Sequence, residues 1–279
     1  MYALIESSKN ALYRSDDGGF KWTMVNNEGQ WTNNRPFYFQ DIAVDPKNDN
    51  RLWLIYQMIA VSEDAGKSFN VVIPYNGIHP DHHAFWTHPE NPDFIIDGND
   101  GGIGITRDRG KTWMFDEKIP VGQFYHINVD NAFPYNVMGG MQDNGSWRGP
   151  AYTLTEGGIK NYYWESLWGG DGFEVMPDPE DNDWVYAESQ GGSAGRYNVK
   201  TGETWNIQPT SPDLNTKLRF NWNAAMAQDP FDPKTIYFGS QFIHKSTNKG
   251  AAWEIISSDL TTNDSAKIDQ RNNGGISID

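Results

Sequence analysis

Cysteine is absent from all 279 residues, so no disulfide framework staples this chain. Basic residues are scarce: 22 Lys and Arg stand against 37 Asp and Glu, a net charge of −15. That balance argues against a nucleic-acid backbone or an anionic membrane as partner, because both repel an acidic surface. Long apolar runs are missing as well. None approaches the roughly 20 residues needed to cross a bilayer. The first residues, MYALIESSKN, lack the basic start and apolar core of a signal peptide and read like the middle of a strand. The far end, NNGGISID, carries no stop signal, so both ends are expected to be cuts in a longer chain. A convincing amphipathic helix is lacking too.

Aromatics and turn formers are abundant. There are 12 Trp, 13 Tyr and 14 Phe, ample apolar surface for a packed core, with 28 Gly and 15 Pro to punctuate it. One eight-residue phrase recurs. It reads SDDGGFKW (Ser15, Asp17, Gly19, Trp22), SEDAGKSF (Ser62, Asp64, Gly66, Phe69), TRDRGKTW (Thr106, Asp108, Gly110, Trp113) and STNKGAAW (Ser246, Gly250, Trp253). NVKTGETW at Asn198 is a degenerate copy, and near 152 the phrase is replaced by GPAYTLTEGG. A second signal keeps step with it: an acidic turn, usually with Pro, then an aromatic and β-branched strand ending in Gln57, Asn99, Gln142, Gln190 or Gln241.

The phrase reads as a hairpin turn. Its Ser/Thr and Asp oxygens can accept local backbone N–H groups, its Gly permits a positive φ, and its final aromatic can pack back on the sheet. Asp17, Asp64 and Asp108 are therefore expected to be turn staples rather than catalysts. A period of about 46 residues built from strands predicts an all-β fold, a β-propeller with four-stranded antiparallel blades. About six blades are expected, as a single domain over 1–279, incomplete at both ends.

The four phrases resemble the Asp-box pattern of BNR-repeat propellers, which include sialidases, two-propeller xyloglucanases and the sortilin ectodomain. The stretches HPDHHAFWTHPENPDFIIDGNDGGIGITRDRGKTW, PVGQFYHINVDNAFPYNVMGGMQDNGSWRGP and SSDLTTND resemble large exported bacterial proteins of the sortilin-like "BNR-repeat glycosyl hydrolase" group. That resemblance implies a secreted, periplasmic or cell-surface location and further domains in a longer chain. It implies fold more than activity.

Sialidase chemistry would need an arginine triad. Arg14, Arg107 and Arg109 sit in or beside turns, and no triad assembles from Arg35, Arg51, Arg148, Arg196, Arg219 and Arg271. Xyloglucanase chemistry needs a general acid and a general base with water between them. The resemblance of RSDDGG to a catalytic segment of that family would make Asp16 one acid, but the segment is also an ordinary copy of the phrase, and a solvated turn residue is the preferred reading there.

Outside the phrases, HPDHH offers His79, Asp81 and His83 on one face if it is a strand, a set that suits zinc. DGNDGG is no EF-hand, but Asp97, Asn99 and Asp100 could form a calcium loop. Calcium and zinc are thus the two candidate cofactors, and neither is fixed. His88 and His126 read as structural. The amides at the strand ends either face a ligand or bond to the neighbouring blade. The insertions NYYWESLWGGDGFE and LRFNWN break the repeat, and such breaks often bind something. The functional face is therefore expected at HPDHH, MQDNG, WGGDGFE and RFNWN, with Trp168, Trp222, Gln142, Asp143, Gln190 and Gln241 contacting a ligand. Asp171, flanked by glycines and expected to be accessible, is the first acid to test. The function expected is an exported binding or scaffold module for a polysaccharide or protein partner. The alternative is an inverting, xyloglucanase-like glycoside hydrolase, and whether the chain is an enzyme stays open.

Overall fold

The computed structural model describes residues 1–34, 38–116, 119, 121–213 and 215–264; Arg35, Arg271 and the NNGGISID end lie outside the described residues. The fold is all-β, and its six antiparallel meanders are the blades of a propeller. Blade 1 has three strands, β1 (Tyr2–Ile5), β2 (Ala11–Arg14) and β3 (Thr23–Asn26). The other five have four each. Blade 2 is β4 (Asp41–Asp45), β5 (Asn48–Ile55), β6 (Ile59–Ser62) and β7 (Asn70–Ile73). Blade 3 is β8 (His82–Thr87), β9 (Ile95–Asn99), β10 (Gly102–Thr106) and β11 (Met114–Asp116). Blade 4 is β12 (Phe124–Val129), β13 (Asn136–Met141), β14 (Gly145–Pro150) and β15 (Glu165–Trp168). Blade 5 is β16 (Gly172–Pro177), β17 (Trp184–Ser189), β18 (Ser193–Asn198) and β19 (Thr204–Asn206). Blade 6 is β20 (Met226–Gln228), β21 (Ile236–Gly239), β22 (Ile243–Ser246) and β23 (Glu254–Ile255). Among the described residues the only α-helix is one turn, Gly29–Thr32. Blades 1–3 belong to one compact unit, Met1–Ile119, and blades 4–6 to a second, Pro120–Asp279.

Each core lies between successive blades, because the middle strands are apolar on both faces. In β5, Leu52 and Leu54 join Leu12 of blade 1, while Trp53 and Ile55 join Ile95 of blade 3. In β17, Val185 and Ala187 join Met138 and Leu167 of blade 4, while Tyr186 joins Met226, Ile236 and Phe238 of blade 6. Successive side chains of a strand point to opposite faces, so a strand between two neighbours must be apolar throughout. Each fully buried Leu, Ile or Phe contributes about 1.5–3 kcal/mol of transfer free energy.

All four repeated phrases form turns before the last strand of a blade, and their hydrogen bonds repeat atom for atom. The Ser15, Ser62, Thr106 and Ser246 hydroxyls donate to Asp17, Asp64, Asp108 and Asn248 at 2.8–2.9 Å, and each accepts the N–H of the phrase glycine at 2.8–2.9 Å. The acid then accepts backbone N–H groups from the far side of the turn, such as Lys21 on Asp17 and Ser68 on Asp64. The phrase glycine is needed twice over. Gly66 and Gly110 have φ of 84° and 82°. A Cβ on Gly66 would lie 2.5 Å from Leu12 of blade 1, and one on Gly110 2.7 Å from Trp53 of blade 2. Gly250 sits the same way over Ile207, at the end of blade 5. The turn thus keys blades 2, 3 and 6 into the blade before each. The final aromatic varies: Phe69, Trp113 and Trp253 join the cores, whereas Trp22 and Trp205 stay exposed.

Candidate functional site

In the second unit, three of the expected stretches meet around Asp171. The side chain is buried, contrary to the expectation that flanking glycines would expose it. Its Oδ1 accepts the N–H of Asp143 at 2.7 Å, and its Oδ2 accepts the Trp222 indole N–H at 2.9 Å. The Asp171 N–H is donated to Gln190 Oε1 at 2.8 Å. The glycines serve closeness rather than access: a Cβ on Gly172 would lie 2.4 Å from the Gly145 carbonyl oxygen, so blades 4 and 5 can touch backbone to backbone. Asp171 therefore ties the 142–144 turn of blade 4 and the entry segment of blade 6 to blade 5. That role consumes both of its oxygens.

Gln241 and Trp168 are similarly engaged. Gln241 Oε1 accepts the Arg219 N–H and its Nε2 donates to the Lys217 carbonyl, at 2.8 and 2.9 Å. Gln190 and Gln241 thus hold the segment entering their own blade, rather than bonding a neighbouring blade. Trp168 packs on β18, where a Cβ on Gly195 would lie 2.3 Å from its ring. The Gln142 carbonyl accepts from Asn144, and Asp143 adopts a left-handed φ of 58° at the turn tip.

Next to this hub lies a polar cluster on the first strands of blades 4 and 5. Asn128 of β12 donates to Glu174 Oε1 at 2.6 Å. Glu174 Oε2 lies 3.8 Å from His126 Nδ1, and His126 Nε2 lies 3.3 Å from the Asn223 amide. His126, expected to be structural, has 46% of its side chain exposed. This grouping is invisible in the sequence because 97 residues separate His126 from Asn223. Register shifts beside both side chains explain the placement: pairing slips between Phe124 and His126 in β12 and between Gly172 and Val175 in β16. Such bulges re-aim side chains.

Beneath the cluster is Glu188 of β17, fully buried. Its Oε1 accepts the Ala224 N–H at 3.3 Å, while its Oε2 has no partner. Burial pushes its carboxyl up to about 8; the Glu174 carboxylate adds to the rise, and the N–H groups of Ala224 and Glu174 pull against it. Burial wins because desolvation disfavours the charged form more than two peptide dipoles favour it.

In the first unit, HPDHH is not one strand. β8 starts at His82, and Asp81 precedes it with a left-handed φ of 61°. His79 Nδ1 lies 3.0 Å from the Pro80 carbonyl, and His83 Nε2 pairs with Asp100 at 3.0 Å. His79, Asp81 and His83 therefore do not share a strand face, and among the described residues they do not converge on one point. Asp97 and Asn99 are used internally: buried Asp97 pairs with buried His82 at 2.7 Å, and Asn99 Oδ1 accepts the N–H groups of Gly101 and Gly102. Asp16 is exposed and pairs with Arg14 at 2.7 Å, on a groove of about 480 Å³ that Asp64 and Asn50 also line.

No protein-family model and no curated protein matches the chain. Among solved structures it is similar to the GH74 enzyme of Niastella koreensis, at 17% identity and a TM-score of 0.34, over 88% of this chain and 42% of that one. It is similar to the GH74 xyloglucanase of Xanthomonas campestris at 14% identity and a TM-score of 0.34, over 92% and 43% of the two chains. The extracellular domain of the putative one-component system BT4673 from B. thetaiotaomicron gives 15% identity and a TM-score of 0.34, over 93% and 33%. The chain spans less than half the length of these proteins, and at such scores the likeness carries no argument about activity.

Proposed function

We propose that the chain is part of an exported Asp-box propeller, with residues 1–279 belonging to one longer propeller protein, and that it acts as a binding or scaffold module for a polysaccharide or protein partner. One observation carries this reading: His126, Glu174 and Asn223 form an open polar cluster beside a hub in which both oxygens of Asp171 are already bonded. An exposed imidazole and amide beside a half-buried carboxylate suit recognition of hydroxyls or peptide groups. Export rests on the resemblance of the repeated phrases. The hydrolase alternative is weaker, since Asp171 spends both oxygens on structure and Asp16 is a solvated ion-pair partner.

The test is binding of the chain to a glycan array and to a peptide array. Glu174→Ala and Asn223→Ala should each weaken binding about tenfold or more, the range expected when a charged hydrogen-bond partner is lost. Arg14→Ala, remote in sequence and in the other unit, should leave it unchanged. Full retention in both cluster variants, with the fold intact, removes the proposal. Release of reducing sugar from a bound glycan would favour the hydrolase.

A further inference from the structure

A buried imidazole lies between blades 5 and 6. His244 of β22 is 1% exposed, yet it lines a cavity of about 420 Å³. One wall of the cavity is the segment after β19, up to Pro212; the other is the turn and strand from Gly250 to Ile255. The walls are pinned at their base. The Trp253 indole N–H donates to the Ile207 carbonyl at 2.7 Å, and the Ile207 N–H donates to the Ala194 carbonyl at 2.9 Å. The blade frame does not call for a histidine here. The position two before the phrase is Tyr13, Ala60, Gly104 and His244 in the four blades that carry it, and Ala60 is part of an apolar core.

Ser240 fixes the tautomer. Its hydroxyl accepts the Phe242 N–H at 3.0 Å. It lies 2.7 Å from His244 Nε2 but 3.5 Å from the Phe242 carbonyl, so its hydrogen goes to Nε2. The ring hydrogen is then on Nδ1. Burial lowers the pKa of the imidazole and favours this neutral form. Nδ1 has no partner among the described residues and is not sealed off, so its N–H opens into the cavity. A buried donor of this kind is costly to leave unmet.

We propose that this cavity is a further binding site, one that takes a neutral sugar ring, with the His244 Nδ1–H donating to a sugar oxygen. Among the described residues no Lys, Arg, Asp or Glu lines the cavity, so neither an anion nor a cation meets an opposite charge there. A wholly apolar ligand would leave the Nδ1–H unmet. A pyranose brings both surfaces: C–H groups for Ile207, Trp253 and Ile255, and hydroxyls for Gln208 and Thr210 at the mouth. A peptide adding a strand would find little to pair with, because β23 is two residues long. The site shares no residue with the His126–Glu174–Asn223 cluster, so each can fail without the other.

The experiment is NMR of the 279-residue chain with ¹³C,¹⁵N-labelled His and Trp. Methyl pyranosides of glucose, galactose and xylose are titrated to about 0.1 M, a range that covers millimolar affinity. The ¹⁵N shifts of free His244 should show Nδ1 protonated and Nε2 bare. At least one sugar should move the His244 ring and Trp253 indole resonances together, with one saturating midpoint. His244→Phe keeps a ring and removes the donor, and it should weaken that binding about tenfold, the scale of one lost hydrogen bond. Gln208→Ala, at the mouth, should weaken it several-fold and decides the matter if His244→Phe does not fold. N-acetyl-leucinamide is the peptide-like control. The opposite tautomer, no shift with any of the sugars, full binding in the folded variants, or tighter binding of N-acetyl-leucinamide than of every sugar overturns the proposal.

Discussion

The clearest division of labour among single residues is within the repeated phrase. Each hydroxyl both donates and accepts, so Ser62→Ala leaves the Gly66 N–H without its partner at a buried turn and takes one of two donors from Asp64 Oδ1. We expect a loss of about 1 kcal/mol, the usual scale for a missing local cap, read as a lower thermal midpoint with binding unchanged. Gly110→Ala should cost more, about 2–3 kcal/mol, since it adds a strained φ to a clash with Trp53. Equal midpoints for Gly110→Ala and wild type would contradict the keying of blade 3 onto blade 2. The staple role of the acids was legible from residue types alone. The keying was not, because Leu12 and Trp53 lie far from the glycines that need them. Asp171 shows the opposite failure: glycine neighbours suggested access, but they serve backbone contact.

Among elements, strand order and turn positions were legible because a period of about 46 residues repeats both signals. The enlarged connection from Pro150 to Glu165 falls where the phrase is missing. Bulges were invisible, since a one-residue slip leaves no mark on composition. Yet they place Glu174 and His126, so the sequence marked the WGGDGFE and RFNWN insertions but not the His126 side chain that meets them. A signal for Glu188 did exist. The position two before the strand-end amide is Ile55, Asp97, Gly140, Glu188 and Gly239 across the blades. Carboxyls in a slot otherwise apolar or glycine are conspicuous. Both turn out to be buried: Asp97 has His82 beside it, and Glu188 has no cation paired with it among the described residues. The HPDHH reading failed at the element level too, because the strand begins at His82 rather than His79.

At the scale of the whole molecule, two sets of carboxyls oppose each other. Hydrogen bonds hold the turn acids below the ordinary carboxylate range: Asp108 reaches about 2, chiefly through the Thr112 hydroxyl, and Asp17 is lowered chiefly by the Lys21 N–H. For Asp64 burial pushes up, and the bonds from Ser68 and Ser62 outweigh it. A depressed carboxyl stabilises the fold above its unfolded pKa, and that share is lost as pH falls from about 4 toward 2. Glu188 is raised, so its effect has the other sign. The native state keeps the proton that the unfolded chain releases above about 4.5, and the share of stability due to this group falls as pH rises from there toward about 8. Stability should therefore peak in mildly acidic solution, near pH 4–5. In Glu188→Gln the decline toward pH 8 should largely vanish, as measured by chemical denaturation at a series of pH values. A wild-type maximum at pH 8 would show that Glu188 is ionised in the native state.

The way Gly66, Gly110 and Gly250 rest on the preceding blade has a consequence for how such a chain can grow. Key and keyhole belong to different repeats, and blade 2 carries one of each: it presents Trp53 to blade 3 and offers Gly66 to blade 1. Copying or deleting a repeat of that kind regenerates the same fit at the new border. Lengthening by duplication then needs no fresh invention at the seam, and a repeat that loses its box, as blade 4 has, gives up the key and is released to elaborate its outer loop.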